Sequence, residues 1–245
     1  MFKPMLNRVL EPEVMDDRQE AVAYNDMDHR AVNERFASDL LSIPNLGTDW
    51  LDVGTGTALI PVELCRRTDS SVRIMASDAS YWMLEIARYN IEIHQCISRV
   101  QLHQGDAKKM VFEKNYFDTV FSNSLVHHLP DQEQFFRETI RVLRPDGVLF
   151  LRDLFRPSTE TQLEDLVKRY GGDDRCGSNL FRQSLLAALT IDELKAIVQP
   201  LGIPGDCITA TSDRHWTLSA RANASKSCFT PVVLDRVEQS NALAE

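Results

Sequence analysis

From residue 49 onward, short apolar runs alternate with amphipathic stretches. Trp50, Leu51 and Val53 form a run of the kind that becomes a buried strand. Behind it Leu59, Ile60, Val62 and Leu64 fall at helical spacing. The same alternation repeats downstream and predicts strands near 49–53, 72–77, 99–103, 117–122 and 147–152, with helices near 58–68, 80–95 and 131–143. Strands alternating with helices predict a parallel, doubly wound α/β sheet. The alternation breaks after Pro157. A helix is expected near 159–170, a polar glycine-bearing loop over Gly171–Gly177, and another helix near Asp192–Gln199. Residues 206–212 and 215–221 alternate well enough to be two late strands. Upstream, Met15–Leu41 carries helical periodicity in two pieces joined around Asp26-Met27-Asp28, the second with Val32, Phe36, Leu40 and Leu41 on one face. Residues 1–14 have little pattern and two prolines, and the tail 222–245 reads as an appended segment or helix.

A chain of 245 residues can bury one full α/β core. Its formal charge of −9 argues against nucleic acid as the partner, because phosphate backbones are held by an excess of Lys and Arg. No apolar run approaches the roughly 18 residues of a membrane span. The stretch Met1-Phe2-Lys3-Pro4-Met5 lacks the apolar core of a signal peptide. Five scattered cysteines (65, 96, 176, 207, 228) contain no Cys-x-x-Cys and suggest neither a disulfide framework nor a zinc site. A cytoplasmic protein, monomeric or homodimeric, is expected.

The candidate chemistry starts at the first predicted strand, which ends in Gly54-Thr55-Gly56 before a helix. Glycine at 54 and 56 lets the backbone turn tightly and lets a ligand approach it. Asp52 stands two residues before the first glycine, placed to order the turn, to meet a ligand's amino group, or to serve as a buried structural acid. Asp78 closes the next apolar run, 24 residues after Gly54, where a nucleotide-binding α/β fold places its ribose-binding acid. A carboxylate suits a ribose diol because it only accepts. Ser80 is the better candidate to cap the following helix. Met83 faces either an adenosine or the core.

Further blocks extend the pattern. They are Gln104-Gly105-Asp106-Ala107, the run Phe117-Asp118-Thr119-Val120-Phe121-Ser122-Asn123-Ser124-Leu125-Val126-His127-His128-Leu129, and Leu143-Arg144-Pro145-Asp146-Gly147-Val148-Leu149. Together with Leu51-Asp52-Val53-Gly54-Thr55-Gly56 and Ser77-Asp78-Ala79-Ser80, they make residues 15–221 resemble the class I S-adenosylmethionine-dependent methyltransferases. The likeness is to the small-molecule group that includes ubiquinone and menaquinone biosynthesis enzymes. One departure is Ala58, where the family usually has a third glycine. The resemblance implies a seven-stranded, mostly parallel Rossmann-like sheet closed by an antiparallel hairpin, with a helical lid over residues 1–45, the methyltransferase domain over 46–221 and a tail over 222–245. It implies S-adenosylmethionine as cofactor, held by Asp52, Gly54, Thr55, Gly56, Asp78, Ala79, Met83, Gly105, Asp106, Ala107, Asn123 and Ser124. Asp106 would meet the adenine amino group. Asn123-Ser124-Leu125-Val126 replaces the Asn/Asp-Pro-Pro-Tyr/Phe motif of base and glutamine methylating enzymes, which argues against those substrates.

The resemblance also places a histidine at His128, paired in the related phosphoethanolamine methyltransferases with a lid tyrosine. Tyr24 is the counterpart here, so His128 and Tyr24 are the expected catalytic pair, joined by a hydrogen bond across the cofactor. An imidazole titrating near neutrality could take a proton from the acceptor. Neighbouring histidine side chains should diverge, and no carboxylate follows at helical spacing, so no metal site is expected at His127-His128. Arg152-Asp153-Leu154-Phe155-Arg156 and Asp213-Arg214-His215-Trp216 are either parts of a binding rim or salt-bridged turns. Three other readings remain open. A nicotinamide dehydrogenase would want a third glycine where Leu59 stands. A protein or RNA methyltransferase would need an extended acceptor surface, and a non-catalytic protein would bind the cofactor without turnover.

Overall fold

The computed structural model describes residues 6–14, 16–172 and 175–234, without the side chains of 175 and 176. Two helices come first, α1 (Arg18–Asp26) and α2 (Arg30–Leu41). Asp17 starts α1 by accepting hydrogen bonds from the amides of Gln19 and Glu20. The alternation begins at β1 (Asp49–Val53) and runs through α3 (Leu59–Arg67), β2 (Arg73–Asp78), α4 (Tyr81–Ile93), β3 (Val100–Gln104), β4 (Phe117–Asn123), α5 (Gln132–Val142) and β5 (Leu143–Leu154). Three helices, α6 (Glu160–Tyr170), α7 (Arg175–Ala187) and α8 (Ile191–Val198), precede the late strands β6 (Ile208–Ala210), β7 (His215–Ala222) and β8 (Phe229–Pro231).

The sheet order is β3-β2-β1-β4-β5-β7-β6, with β8 also paired to β7. The first five strands are parallel, and β6, β7 and β8 join antiparallel. The chain winds outward from β1 to β3, then returns to the other side of β1 for β4. The reversal leaves a crevice at the carboxyl ends of β1 and β4, where open α/β sheets bind ligands.

Alternate side chains on each strand feed opposite cores. Trp50, Phe121, Val148 and Phe150 join Phe36 of α2 and Val62 of α3 on one face. Leu51, Leu149 and Leu151 join Phe135 and Phe136 of α5 and Trp216 on the other. Arg152 is buried and structural: it donates to Asp39 at 2.5 Å and to Thr217 at 2.9 Å, pinning α2 to the sheet. Arg156 likewise reaches the Ala188 carbonyl at 2.7 Å and Glu193 at 2.6 Å. Trp216 packs into the core while Arg214 stacks on Tyr170, so the 213–216 stretch is a packed turn.

Two segments differ from the sequence expectation. Helix α7 occupies part of the expected 171–177 loop and the unassigned stretch after it. Its first turns are polar, so periodicity shows only once Phe181 and Leu185 pack toward Leu163 and Leu166 of α6. The expected tail contributes β8, which makes the sheet eight-stranded. Three residues are too few to show alternation, and one buried side chain, Phe229, holds the strand. Residues 235–245 of that tail lie outside the described residues. Among the described residues no helix is long and apolar enough to cross a membrane.

Candidate active site

The crevice is built on the turn after β1. Gly54 has φ +73°, and a Cβ there would stand 2.9 Å from two Leu125 carbons. Its amide and that of Thr55 donate to the Ser77 carbonyl at 2.8 and 3.0 Å, binding the turn to β2. Asp78, at the end of β2, accepts from the Gly56 amide at 2.8 Å and from the Ser80 amide at 2.9 Å. Ser80 caps α4 by accepting from the Met83 amide at 3.2 Å. Ala58 adopts the left-handed conformation, φ +59°, that explains a glycine preference there.

The residues present fit the adenosyl group that the turn suggests. The Gly56 and Ser80 amides, with that of Ala79, hold the Asp78 carboxyl at the cavity wall, where it can accept from a hydroxyl. A Cβ on Gly56 would meet no atom nearer than Tyr24 Cε1 at 3.8 Å, so the space above the turn is open.

The main cavity measures about 120 Å³. Gly54, Gly56, Asp78, Ala79 and Met83 form one wall, and Gly105, Asp106 and Ala107 the next. Asn123, Ser124 and His128 form the side under β4, and Tyr24 comes from α1. Asp106 is held by Lys108, whose amide and ammonium donate at 2.8 and 2.9 Å. Lys108 also pairs with Glu13, a cavity-lining residue of the N-terminal strap. Asp52 and Thr55 sit apart from this group. They line an adjoining cavity of about 30 Å³ that shares Tyr24, Gly54 and Asn123 with the first.

Asp52 is buried, with one hydrogen bond from the Thr55 hydroxyl at 2.7 Å. Burial, and then the neighbouring Asp78, push its carboxyl up to about 7 against the Thr55 bond. The folded state therefore holds this proton more tightly than the unfolded chain does. The resulting stability is complete below the unfolded value near 4 and is lost as pH rises through about 7. Asp52→Asn keeps the shape without the charge. In the ligand-free protein it should be more stable than the wild type at pH 8, by on the order of 3 kcal/mol, and about equal at pH 4. Urea unfolding at the two pH values measures the difference, and equal stability at pH 8 would refute it.

His128 and Tyr24 both line the cavity, but the hydrogen bond expected between them does not form among the described residues. Tyr24 packs on His29 with ring centroids 4.5 Å apart. Burial, then Asp78 and Asp52, push its hydroxyl up to about 12. His128 is committed elsewhere: its Nδ1 lies 3.1 Å from Glu11 Oε1. Burial and the adjacent His127 lower its ring to about 4, so it is neutral at physiological pH and not the near-neutral titrating group expected from sequence.

Glu11 was invisible to sequence reasoning. Residues 6–14 form a strap whose Glu13 and Val14 line the cavity. Arg8 donates to the Ala187 carbonyl at 2.6 Å and to the carbonyls of His127 and Leu129 at 3.3 and 3.2 Å, and the Val9 amide donates to Leu186. Glu11 then reaches both histidines, with Oε1 3.3 Å from His127 Nε2. The histidine rings do not diverge. Their centroids are 4.2 Å apart, because residues 126–128 form a 3-10 turn. The Arg152–Arg156 stretch contributes Asp153, which accepts from His127 Nδ1 at 2.6 Å and from the His127 amide at 3.0 Å. Burial opposes the charges of this pair, yet each stabilises the other: His127 is raised and Asp153 lowered.

A glycine turn at the β1 end, an acid closing β2 and an antiparallel late hairpin define the fold of the class I S-adenosylmethionine-dependent methyltransferases. Residues 51–151 match the methyltransferase domain family. A demethylmenaquinone methyltransferase of Desulfitobacterium hafniense is 32% identical over 112 residues, 46% of this chain and 44% of the relative. The chain thus spans less than half the length of the curated relatives it matches. In fold it is similar to a S-adenosylmethionine-dependent methyltransferase from Aquifex aeolicus, with TM-score 0.57, 17% identity, and 84% of this chain and 98% of that one covered. It is also similar to phosphoethanolamine N-methyltransferase 2 of Haemonchus contortus solved with S-adenosylhomocysteine, with TM-score 0.52, 20% identity, and 68% and 36% covered.

Proposed function

We propose that this protein is a cytoplasmic enzyme that transfers a methyl group from S-adenosylmethionine to a small-molecule acceptor. One observation carries the reading: Asp78, Gly56, Asp106 and His128 line a single cavity. The relatives named for demethylmenaquinone and for ubiquinone/menaquinone C-methylation support a small acceptor. So does the strap, whose Glu13 and Val14 line the cavity and leave it little room for an extended polymer.

Asp78 and the Gly56 turn would hold the ribose, and Asp106 the adenine edge. Asp52 and Thr55, in the adjoining cavity, would meet the amino acid end. When bound, S-adenosylmethionine supplies a methyl carbon already activated toward attack. The chain's own task is then alignment and exclusion of water. Tyr24 and the strap close the cavity, and His128 presents a neutral ring to the acceptor. The test is calorimetric titration of the full chain with S-adenosylhomocysteine and, separately, with NAD. Single-site micromolar binding of the first and none of the second is expected. NAD binding without S-adenosylhomocysteine binding would overturn the assignment.

A further inference from the structure

Glu11, His127 and His128 bring three metal-ligating side chains together beside the cavity. His127 commits its Nδ1 proton to Asp153 at 2.6 Å, which leaves Nε2 as the atom facing Glu11. His128 donates to the Pro12 carbonyl. Glu11 Oε1 lies 3.3 Å from His127 Nε2 and 3.1 Å from His128 Nδ1. Three ligand atoms therefore converge on one small volume, all within 4.8 Å of one another.

The spacing is that of a coordination sphere. A tetrahedral ion with bonds of about 2.0–2.1 Å sets its ligand atoms about 3.3 Å apart. The donors are also mounted as ligands usually are. Histidine ligands commonly give their second nitrogen to a carboxylate that fixes ring and tautomer, as Asp153 does here. Asp153 is itself held by the His127 and Leu154 amides at 3.0 and 2.6 Å. The His127 and Glu11 side chains are at most 9% exposed, whereas His128 is 24% exposed and opens on the cavity. Arg8 points its guanidinium at the carbonyls of His127 and Leu129, and the Ser184 hydroxyl donates to Glu11 at 3.3 Å.

We propose that Glu11, His127 and His128 form a binding site for a divalent transition-metal ion of the zinc class, with its remaining position open toward the cavity. Two imidazoles and one carboxylate with an open place is the ligand set of catalytic zinc. Resting on the methyltransferase reading, that open position takes an oxygen of the acceptor, which selects acceptors bearing a hydroxyl, enol or carboxylate oxygen. The ion would also tie the strap to the ends of β4 and β5, since Glu11 belongs to the strap and the histidines follow β4.

The test uses the full chain after treatment with a chelator and desalting. Zn²⁺ is titrated by calorimetry, and Co²⁺ by its visible absorption, which is intense only in low-coordinate sites. One equivalent of Zn²⁺ and a low-coordinate Co²⁺ spectrum are expected. Asp153→Asn should weaken Zn²⁺ binding about 10- to 100-fold, and Glu11→Gln and His128→Gln by more. Circular dichroism shows that each variant is folded, and Glu11→Gln, on the strap, perturbs the core least. Absence of stoichiometric binding overturns the proposal. So does binding unchanged in Glu11→Gln, the result expected if the neighbouring thiols Cys65 and Cys96 took the metal. Neither readout involves S-adenosylhomocysteine, so this proposal and the methyltransferase reading fail separately.

Discussion

Gly56→Val is expected to abolish measurable S-adenosylhomocysteine binding while the protein still folds. Gly56 has φ +55°, in the left-handed region. A non-glycine residue costs about 1–2 kcal/mol there, and branching at Cβ stiffens valine further. That is a fraction of the roughly 5–15 kcal/mol by which a domain is stable. The larger effect is on the site. The added atoms would fill the space between the turn and the Tyr24 ring, now 3.8 Å from an ideal Cβ. They would also push on the amide that donates to Asp78. Calorimetry reports the lost affinity and a melting curve reports the retained fold. A folded variant with wild-type affinity would place the cofactor elsewhere.

Asp78→Ala should weaken S-adenosylhomocysteine by about 1.5–3 kcal/mol, the scale of a hydrogen bond to a charged group, or roughly 10- to 150-fold. The carboxylate is prearranged for a diol. The backbone amides of Gly56, Ser80 and Ala79 fix it at the cavity wall. Burial raises its carboxyl above the usual range, opposed by those amides. Removing it also leaves the Gly56 and Ser80 amides without their acceptor, so some of the loss passes through the turn. Asp78→Asn separates the two effects. It retains one acceptor oxygen and should fall between the wild type and alanine. Unchanged affinity in Asp78→Ala would remove Asp78 from the site.

The glycine-turn wall of the cavity was legible because its signals are short in sequence. Gly54, Gly56 and Asp52 lie within one strand-turn-helix, and Asp78 ends the neighbouring strand. Parallel pairing of β1 with β2, Val53 opposite Ser77, brings those ends together. The acceptor side was less legible. His128 was expected there, but its partner was not. Arg152 carried the same charge-after-strand signal as Asp153, yet Arg152 turned out to hold α2 while Asp153 orients His127. A charge at a strand end does not reveal which face it will serve.

What the sequence by itself determined is whatever a period or a local turn dictates. The alternation of apolar positions set strands β1 to β7 and their order of appearance. Glycine at 54 and 56 set the turn, and Ser80 the start of α4. Only the tertiary structure decided what meets across the chain. Glu11 joins histidines more than a hundred residues away because the strap folds against the cavity, and residues 1–14 carry no periodicity to announce it. Asp153 reaches His127 because β5 lies beside β4, with Arg152 opposite Asn123. Asp52 and His128 took their protonation from burial, which depends on everything packed around them. Local pattern fixes backbone geometry through steric and hydrophobic periodicity. Long-range contacts and desolvation exist only once the chain has closed on itself.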